Sequence, residues 1–130
     1  FARADLFTSP IPNGAFDVVV FAASIQYFAD IRKIIGRALE LVRPKGTVHV
    51  MDTVLYKSAS EAYAAEERSR EYYANIGIPE MTAHYHAHQL SDIEGAGSCS
   101  IVSAPSAGDR LRRWTGRPAS PFTYVVVSAR

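Results

Sequence analysis

The most regular part of the chain shows apolar positions in a continuous run, then at helical spacing, then in a second run. Val18–Phe21 form the first run, which is typical of a strand covered on both faces and therefore placed inside a sheet. Asp30 is well placed as an N-cap for a helix whose apolar stripe is Ile31, Ile34, Ile35, Ala38, Leu41 and Val42. Pro44 and Gly46 end this helix before the second run, Thr47–Met51. The pattern predicts one parallel strand–helix–strand unit.

The remaining sequence predicts two more helices and two more strands. Ser58–Asn75 has the pattern of a second helix with Gly77 as its stop signal, and Ser91–Glu94 resembles a short capped helix. Cys99–Ala104 and Phe122–Ser128 are strand candidates joined by a long polar connection. We expect these two strands to form a terminal antiparallel pair.

Composition narrows the class of protein. A chain of 130 residues with 48% hydrophobic and 21% charged residues is typical of one globular domain, which we expect to span 1–130. A net charge of +1 lacks the basic footprint of nucleic-acid binders, so small molecules or proteins are the expected partners. The single Cys99 favours a reducing cytoplasm. No apolar run approaches the ~20 residues that span a bilayer, so no membrane partner is expected.

Several short motifs occur in a characteristic order. Ala4–Leu6 supplies an acidic residue before a proline-containing loop, and the FDVVV strand follows. A short polar and aromatic segment, Ala22–Phe28, comes next. Leu41–Gly46 then resembles a Leu–x–Pro–Gly–Gly turn in which Lys45 replaces the first glycine. In this order the motifs resemble the middle of a class I S-adenosylmethionine-dependent methyltransferase domain, most strongly over Ala4–Asp52.

The resemblance implies an α/β fold, namely the carboxyl-terminal half of a doubly wound, Rossmann-like sheet with a terminal antiparallel strand pair. The family's Gly-x-Gly-x-Gly loop is missing, and so is the acidic residue that follows its second strand. Together with a first residue, Phe1, that is not methionine, this predicts a carboxyl-terminal portion of the domain. The first strand would then have an unpaired apolar edge, through which we expect a homo-oligomer.

The resemblance also implies where S-adenosylmethionine would bind. The implied cofactor-binding residues are Asp5, Leu6, Ala22, Ala23, Ser24 and Tyr27. Asp5 would accept a hydrogen bond from the adenine amino group, beside the backbone amide of Leu6. The alternative for Asp5 is a turn residue at a strand end. Tyr27 could pack near the methyl donor.

No catalytic base can be assigned from the sequence. The weak candidates are Asp52, Tyr56, His84 and His86. Tyr56 could equally be an aromatic residue packed beneath the second helix. His84, His86 and His88 alternate, so in an extended segment they would point to one side and could meet a metal ion. No fourth ligand is evident, and no metal site is predicted.

The expected activity is methyl transfer from S-adenosylmethionine to a small-molecule acceptor in the intact enzyme, with this chain alone inactive. The alternative is a non-catalytic half-domain that serves self-association or partner binding. A basic loop around Trp114 could hold an anionic substrate or could simply be solvated. Its cations are Arg110, Arg112, Arg113 and Arg117.

Overall fold

The computed structural model describes residues 3–129, without the side chain of Arg110. The strands are β1 (Phe16–Ala22), β2 (Val42–Thr53), β3 (Ser98–Ser103) and β4 (Thr123–Ser128). The α-helices are α1 (Ile31–Leu41), α2 (Ala59–Asn75), α3 (Leu90–Glu94) and α4 (Ala107–Trp114), and short 3-10 helices cover Ile25–Tyr27 and Pro79–His84. The sheet order is β1-β2-β4-β3. β1 and β2 are parallel, whereas β4 is antiparallel to both of its neighbours. The predicted parallel unit and terminal antiparallel pair are both confirmed.

Helix α1 forms where the sequence predicts it and covers one face of the sheet. The Asp30 carboxylate accepts a hydrogen bond from the backbone N–H of Lys33 at 2.9 Å and caps the helix. Ile34 and Ile35 are completely buried against strands β1, β2 and β4. Ile93 of α3 joins the same core. Burial of this apolar stripe holds the helix on the sheet.

The opposite face of β1 is open. Val18 is 45% and Val20 is 52% exposed, and among residues 3–129 only β2 pairs with β1. The expectation that this run lies inside a sheet and is covered on both faces is therefore wrong for the described chain. The described residues supply neither a strand for the free edge nor a helix over Val18 and Val20.

The connection from α1 to β2 is tighter than the sequence indicates. β2 begins at Val42, which pairs with Phe16, but the regular register with β1 starts only at Thr47. Lys45 has a φ of 70°, so it occupies a left-handed conformation that favours glycine. Gly46 is required for a different reason, because a Cβ there would lie 2.8 Å from the Cβ of Val42.

The predicted helices that follow β2 are present. The Ser58 hydroxyl caps α2 by accepting the N–H of Glu61 at 3.3 Å, and Gly77 follows the helix with a φ of 80°. The short helix α3 is capped two residues earlier than expected. Its N-cap is Gln89, whose backbone N–H donates to Asp92, so Ser91 lies inside the helix.

The long connection between β3 and β4 contains a helix, which corrects the prediction of a basic loop. Ser106 and Asp109 form a capping box at the start of α4, where the Asp109 N–H donates to the Ser106 hydroxyl at 3.1 Å. Leu111 and Trp114 are 60% and 85% exposed. The side chain of Arg110 lies outside the described part of the structure. Within residues 3–129, no helix combines the length and hydrophobicity that crossing a membrane requires.

Candidate functional site

The carboxyl ends of the parallel strands β1 and β2 lie side by side and carry strained backbone. Ala23 follows β1 with a φ of 47°, and Asp52 near the end of β2 has a φ of 55°. The N–H of Ala23 donates to the carbonyl of Met51 at 3.1 Å and joins the two ends. A left-handed conformation costs a residue with a side chain about 1–2 kcal/mol and is typical of functional sites. Ligands of open α/β sheets bind at this edge.

Gln26 connects this edge to a more distant segment of the chain, a role that the sequence analysis missed. The side-chain NH₂ of Gln26 donates to the backbone carbonyl of Ala23 at 2.8 Å. The backbone carbonyl of Gln26 accepts the N–H of His86 at 2.8 Å. The hydroxyl of Thr53 lies 3.4 Å from the Gln26 side-chain oxygen. Gln26 therefore fixes both strand ends relative to the histidine segment.

Asp5 occupies a turn that its carboxylate stabilises. Its Oδ1 accepts the backbone N–H groups of Phe7 at 2.8 Å and Thr8 at 3.0 Å. These hydrogen bonds lower the pKa of Asp5 below its ordinary value. The Thr8 side chain also contributes a hydrogen bond to this carboxylate. The turn role of Asp5 is therefore observed, whereas the adenine contact stays a prediction.

Arg37 holds the loop that carries Asp5 against helix α1. Its guanidinium donates to the carbonyls of Leu6 at 3.1 Å and Ile11 at 3.2 Å. The same group donates at 2.8 Å to the side chains of Asn13 and Glu40. The sequence analysis did not identify Arg37, because an arginine on a helix flank usually has a solvated head group.

The structure brings the other predicted cofactor residues together at one strand end. Ala22 is the last residue of β1 and pairs with Met51, Ala23 and Ser24 follow, and Tyr27 ends the adjacent 3-10 helix. Tyr27 is half exposed. No hydrogen bond or ion pair within the described residues joins this group to Asp5. Their shared role in cofactor binding stays a prediction.

The two catalytic candidates that follow β2 have different surroundings. Asp52 is exposed and its carboxylate makes no hydrogen bond within the described residues. Tyr56 is partly buried, and its backbone is fixed by hydrogen bonds to His88 at 2.9 Å and Leu90 at 3.0 Å. Burial raises the pKa of the Tyr56 phenol, which therefore stays protonated at neutral pH. Tyr56 is therefore suited to donating a hydrogen bond, and a catalytic role for either residue stays a prediction.

The three alternating histidines do not lie in one extended segment, so the condition under which they would point to one side is not met. His84 is exposed at the end of a 3-10 helix. His88 is buried, its Nε2 donates to the carbonyl of Phe28 at 2.9 Å, and burial lowers its pKa. The His86 ring is 6.3 Å from that of His88, measured between centroids. No histidine, cysteine or carboxylate cluster suited to a metal ion occurs in the described part of the chain.

Two cavities lie beyond the end of β2. The larger has a volume of about 580 Å³ and lies between helix α2, the segment that follows β2, and the ends of β3 and β4. The smaller, about 280 Å³, is lined mainly by tyrosines of α2 and its neighbouring segments. Tyr56 and Arg68 line both cavities. The larger cavity is lined from Val54 onward, so it lies close in sequence to the end of β2.

Comparisons with known proteins agree with this geometry. A family model described as "Methyltransferase domain" matches residues 1–50. The 27-O-demethylrifamycin SV methyltransferase of Amycolatopsis mediterranei is 30% identical over 129 residues, which cover 96% of this chain and 47% of that protein. The crystal structure of YcgJ from Bacillus subtilis superimposes on the whole chain with a TM-score of 0.68 at 11% identity, over 71% of its own length. The structure of human N-acetylserotonin methyltransferase in complex with S-adenosylmethionine aligns with a TM-score of 0.53 at 15% identity. The alignment covers 99% of this chain and 35% of the human protein's chain.

The sheet order, the strained strand ends and the structural similarities define a Rossmann-like α/β fold of the methyltransferase type. With the family match and the rifamycin relative, they place the chain in the class I S-adenosylmethionine-dependent methyltransferases. The family assignment made from the sequence motifs is confirmed. The chain spans about half the length of the rifamycin relative.

Proposed function

We propose that the protein to which this chain belongs transfers a methyl group from S-adenosylmethionine to a small-molecule acceptor. The observation that carries this proposal is the pair of left-handed residues, Ala23 and Asp52, at the adjoining ends of β1 and β2. The cavity of about 580 Å³, which is lined from Val54 onward, two residues after Asp52 in the chain, would supply room for an acceptor.

The described residues fit a cofactor of this kind through their donor and acceptor groups. Asp5 offers an exposed carboxylate and Leu6 an amide without a hydrogen bond to the described residues, which together would match the amino group and ring edge of an adenine. The bound cofactor would supply an activated methyl group. The chain then has to position the acceptor and receive its proton, for which Asp52 offers an exposed carboxylate.

Asp5→Asn should weaken the binding of S-adenosylhomocysteine about tenfold in a calorimetric titration. The asparagine oxygen can still accept the N–H groups of Phe7 and Thr8, so the turn is kept. Its NH₂ group replaces Oδ2, carries no negative charge and cannot accept a hydrogen bond from an adenine amino group.

Asp109→Asn is the matched control. The carboxylate of Asp109, like that of Asp5, accepts a nearby backbone N–H, here that of Ser106, but it stabilises the start of α4. It should bind S-adenosylhomocysteine as the wild type does. Failure of the wild-type chain to saturate with millimolar ligand would contradict the proposal that this chain holds the cofactor. Equal affinities of wild type and Asp5→Asn would remove Asp5 from the site.

A second function, self-association through β1, is favoured by the exposure of Val18 and Val20 beside an unpaired strand edge. This function needs no cofactor, and it fits a chain that acts as a half-domain. A cytoplasmic location stays a prediction that rests on the single Cys99.

Val20→Lys should convert a wild-type dimer into a monomer in sedimentation equilibrium, because a charge on an edge strand opposes pairing between strands. Val102→Lys is the control, since Val102 is 56% exposed on β3 at the opposite edge of the sheet. A wild-type monomer at high micromolar concentration, or a dimer lost only in Val102→Lys, would contradict association through β1.

A further inference from the structure

We propose that the larger cavity binds an amphipathic organic anion, with an apolar ring system at one end and a carboxylate, phenolate or sulfonate at the other. The inference rests on the proposed function in one respect, which is that this ligand would be the methyl acceptor. The cavity's volume of about 580 Å³ is within the usual range for sites that bind organic molecules.

Apolar side chains form most of the cavity wall. They come from the segment after β2, from the residue that begins α3, and from the ends of β3 and β4. The apolar lining residues include Val54, Leu55, Leu90, Ile101, Pro105 and Pro121. Leu55 also belongs to the buried core, so this wall is anchored. Such a surface favours a ring system over a chain of polar groups.

The charged residues around the cavity are mainly cationic. Lys57, Arg68 and Arg113 line it, and Glu61 is its one carboxylate. Glu61 is already engaged, because its Oε2 accepts the backbone N–H of Lys57 at 3.0 Å. Within the described part of the chain, Arg68 and Arg113 form no salt bridge. Arg113 is therefore available to an anionic group of a ligand, and the positive charge of Arg68, whose hydrogen-bond partner is the neutral Tyr56 phenol, is not compensated by a carboxylate at salt-bridge distance.

Tyr56 adds a neutral donor at the polar end of the cavity. Its phenol is hydrogen-bonded to Arg68, and burial raises its pKa, so it carries no competing negative charge at neutral pH. Tyr56 follows the end of β2 closely in sequence. A ligand whose anionic group contacts Arg68 would therefore have that group near the strand end and its rings against the apolar wall.

Two fluorescent dyes test this inference, anilinonaphthalene sulfonate and phenylnaphthylamine, which has the same rings without the sulfonate. The wild-type chain should bind the sulfonate dye at one saturable site and bind it more tightly than the neutral dye. In the double variant Arg68→Gln/Arg113→Gln, affinity for the sulfonate dye should fall about tenfold. Affinity for the neutral dye should change less than twofold, because only the recognition of charge is removed.

Arg32→Gln/Arg70→Gln is the matched control, because it removes two exposed arginines that lie outside the cavity. It should leave both dye affinities unchanged. Ala64→Phe, which adds a ring inside the cavity, should weaken both dyes, whereas Ala59→Phe on the same helix should not. Circular dichroism confirms that each variant is folded.

Unchanged affinity of the sulfonate dye in Arg68→Gln/Arg113→Gln would overturn the inference, and so would an equal loss of both dyes in that variant. Loss of dye binding in Val20→Thr, with the arginine variant unaffected, would instead assign the dye to the open face of β1. The dye experiment measures ligand binding in the cavity in the absence of cofactor, whereas the titration with S-adenosylhomocysteine measures the cofactor binding that the proposed function requires. A failure of the inference about the cavity can therefore be distinguished from a failure of the proposed function.

Discussion

Gly46→Ala should lower the free energy of unfolding by about 3 kcal/mol, near the upper end for an overpacked site. A Cβ at this position would lie 2.8 Å from the Cβ of Val42 and 2.9 Å from the carbonyl oxygens of Arg43 and Asp17. Two of these three atoms belong to the backbone and cannot move without shifting β1 or the turn. Urea unfolding followed by circular dichroism measures the loss.

Gly36→Ala is the control for this substitution. Gly36 lies within α1, and a Cβ there would meet no atom within 4 Å. Alanine should therefore raise the stability by up to about 1 kcal/mol, because glycine weakens a helix interior. Equal stability of the wild type and Gly46→Ala would show that the turn can open at little cost, which the packing of Gly46 against β1 does not allow.

The fold could be predicted largely from local patterns. The apolar stripe of α1 and the Asp30 cap identify a helix without any knowledge of its neighbours, and the flanking apolar runs identify β1 and β2. The edge position of β1 does not follow from the local pattern and is expected only from the family resemblance, through the missing amino-terminal half of the domain. An apolar run shows that a strand needs cover, but it does not show whether the covering elements belong to the same chain.

Helix α4 shows a different limit. A capping box formed by Ser106 and Asp109 is visible in the sequence and could have identified its start. The helix was missed because Leu111 and Trp114 are exposed, so it has no buried apolar stripe that would add to the capping signal.

Among the candidate site residues, the sequence could predict the positions only of those at a strand end. Ala22, Ala23 and Ser24 follow from the position of β1, since the end of a strand is set by its own sequence. The contacts of Gln26 with His86 and of Arg37 with Leu6 join residues far apart in the chain. No local pattern encodes such contacts. They become visible only when the loops are packed.

Arg37→Met should lower the free energy of unfolding by roughly 3 kcal/mol and also weaken the binding of S-adenosylhomocysteine. The Arg37 side chain is only 16% exposed, and three of its four hydrogen bonds hold the loop from Leu6 to Asn13 on α1, while the fourth joins Glu40 of the same helix. Methionine keeps the apolar stem but removes every donor, so the Leu6 and Ile11 carbonyls lose their partner. Thermal unfolding and the calorimetric titration measure the two effects.

Arg32→Met on the same helix separates this effect from a general loss of positive charge. Arg32 is 64% exposed and pairs with Asp92 at the surface, so its removal should change the stability by less than about 1 kcal/mol. Arg37→Lys should recover only a small part of the loss, because an ammonium cannot reproduce the planar fork that reaches two carbonyls and two side chains. If Arg37→Met were as stable as Arg32→Met, the loop that carries Asp5 would be held by its own turn, and Arg37 would have no part in placing the cofactor residues.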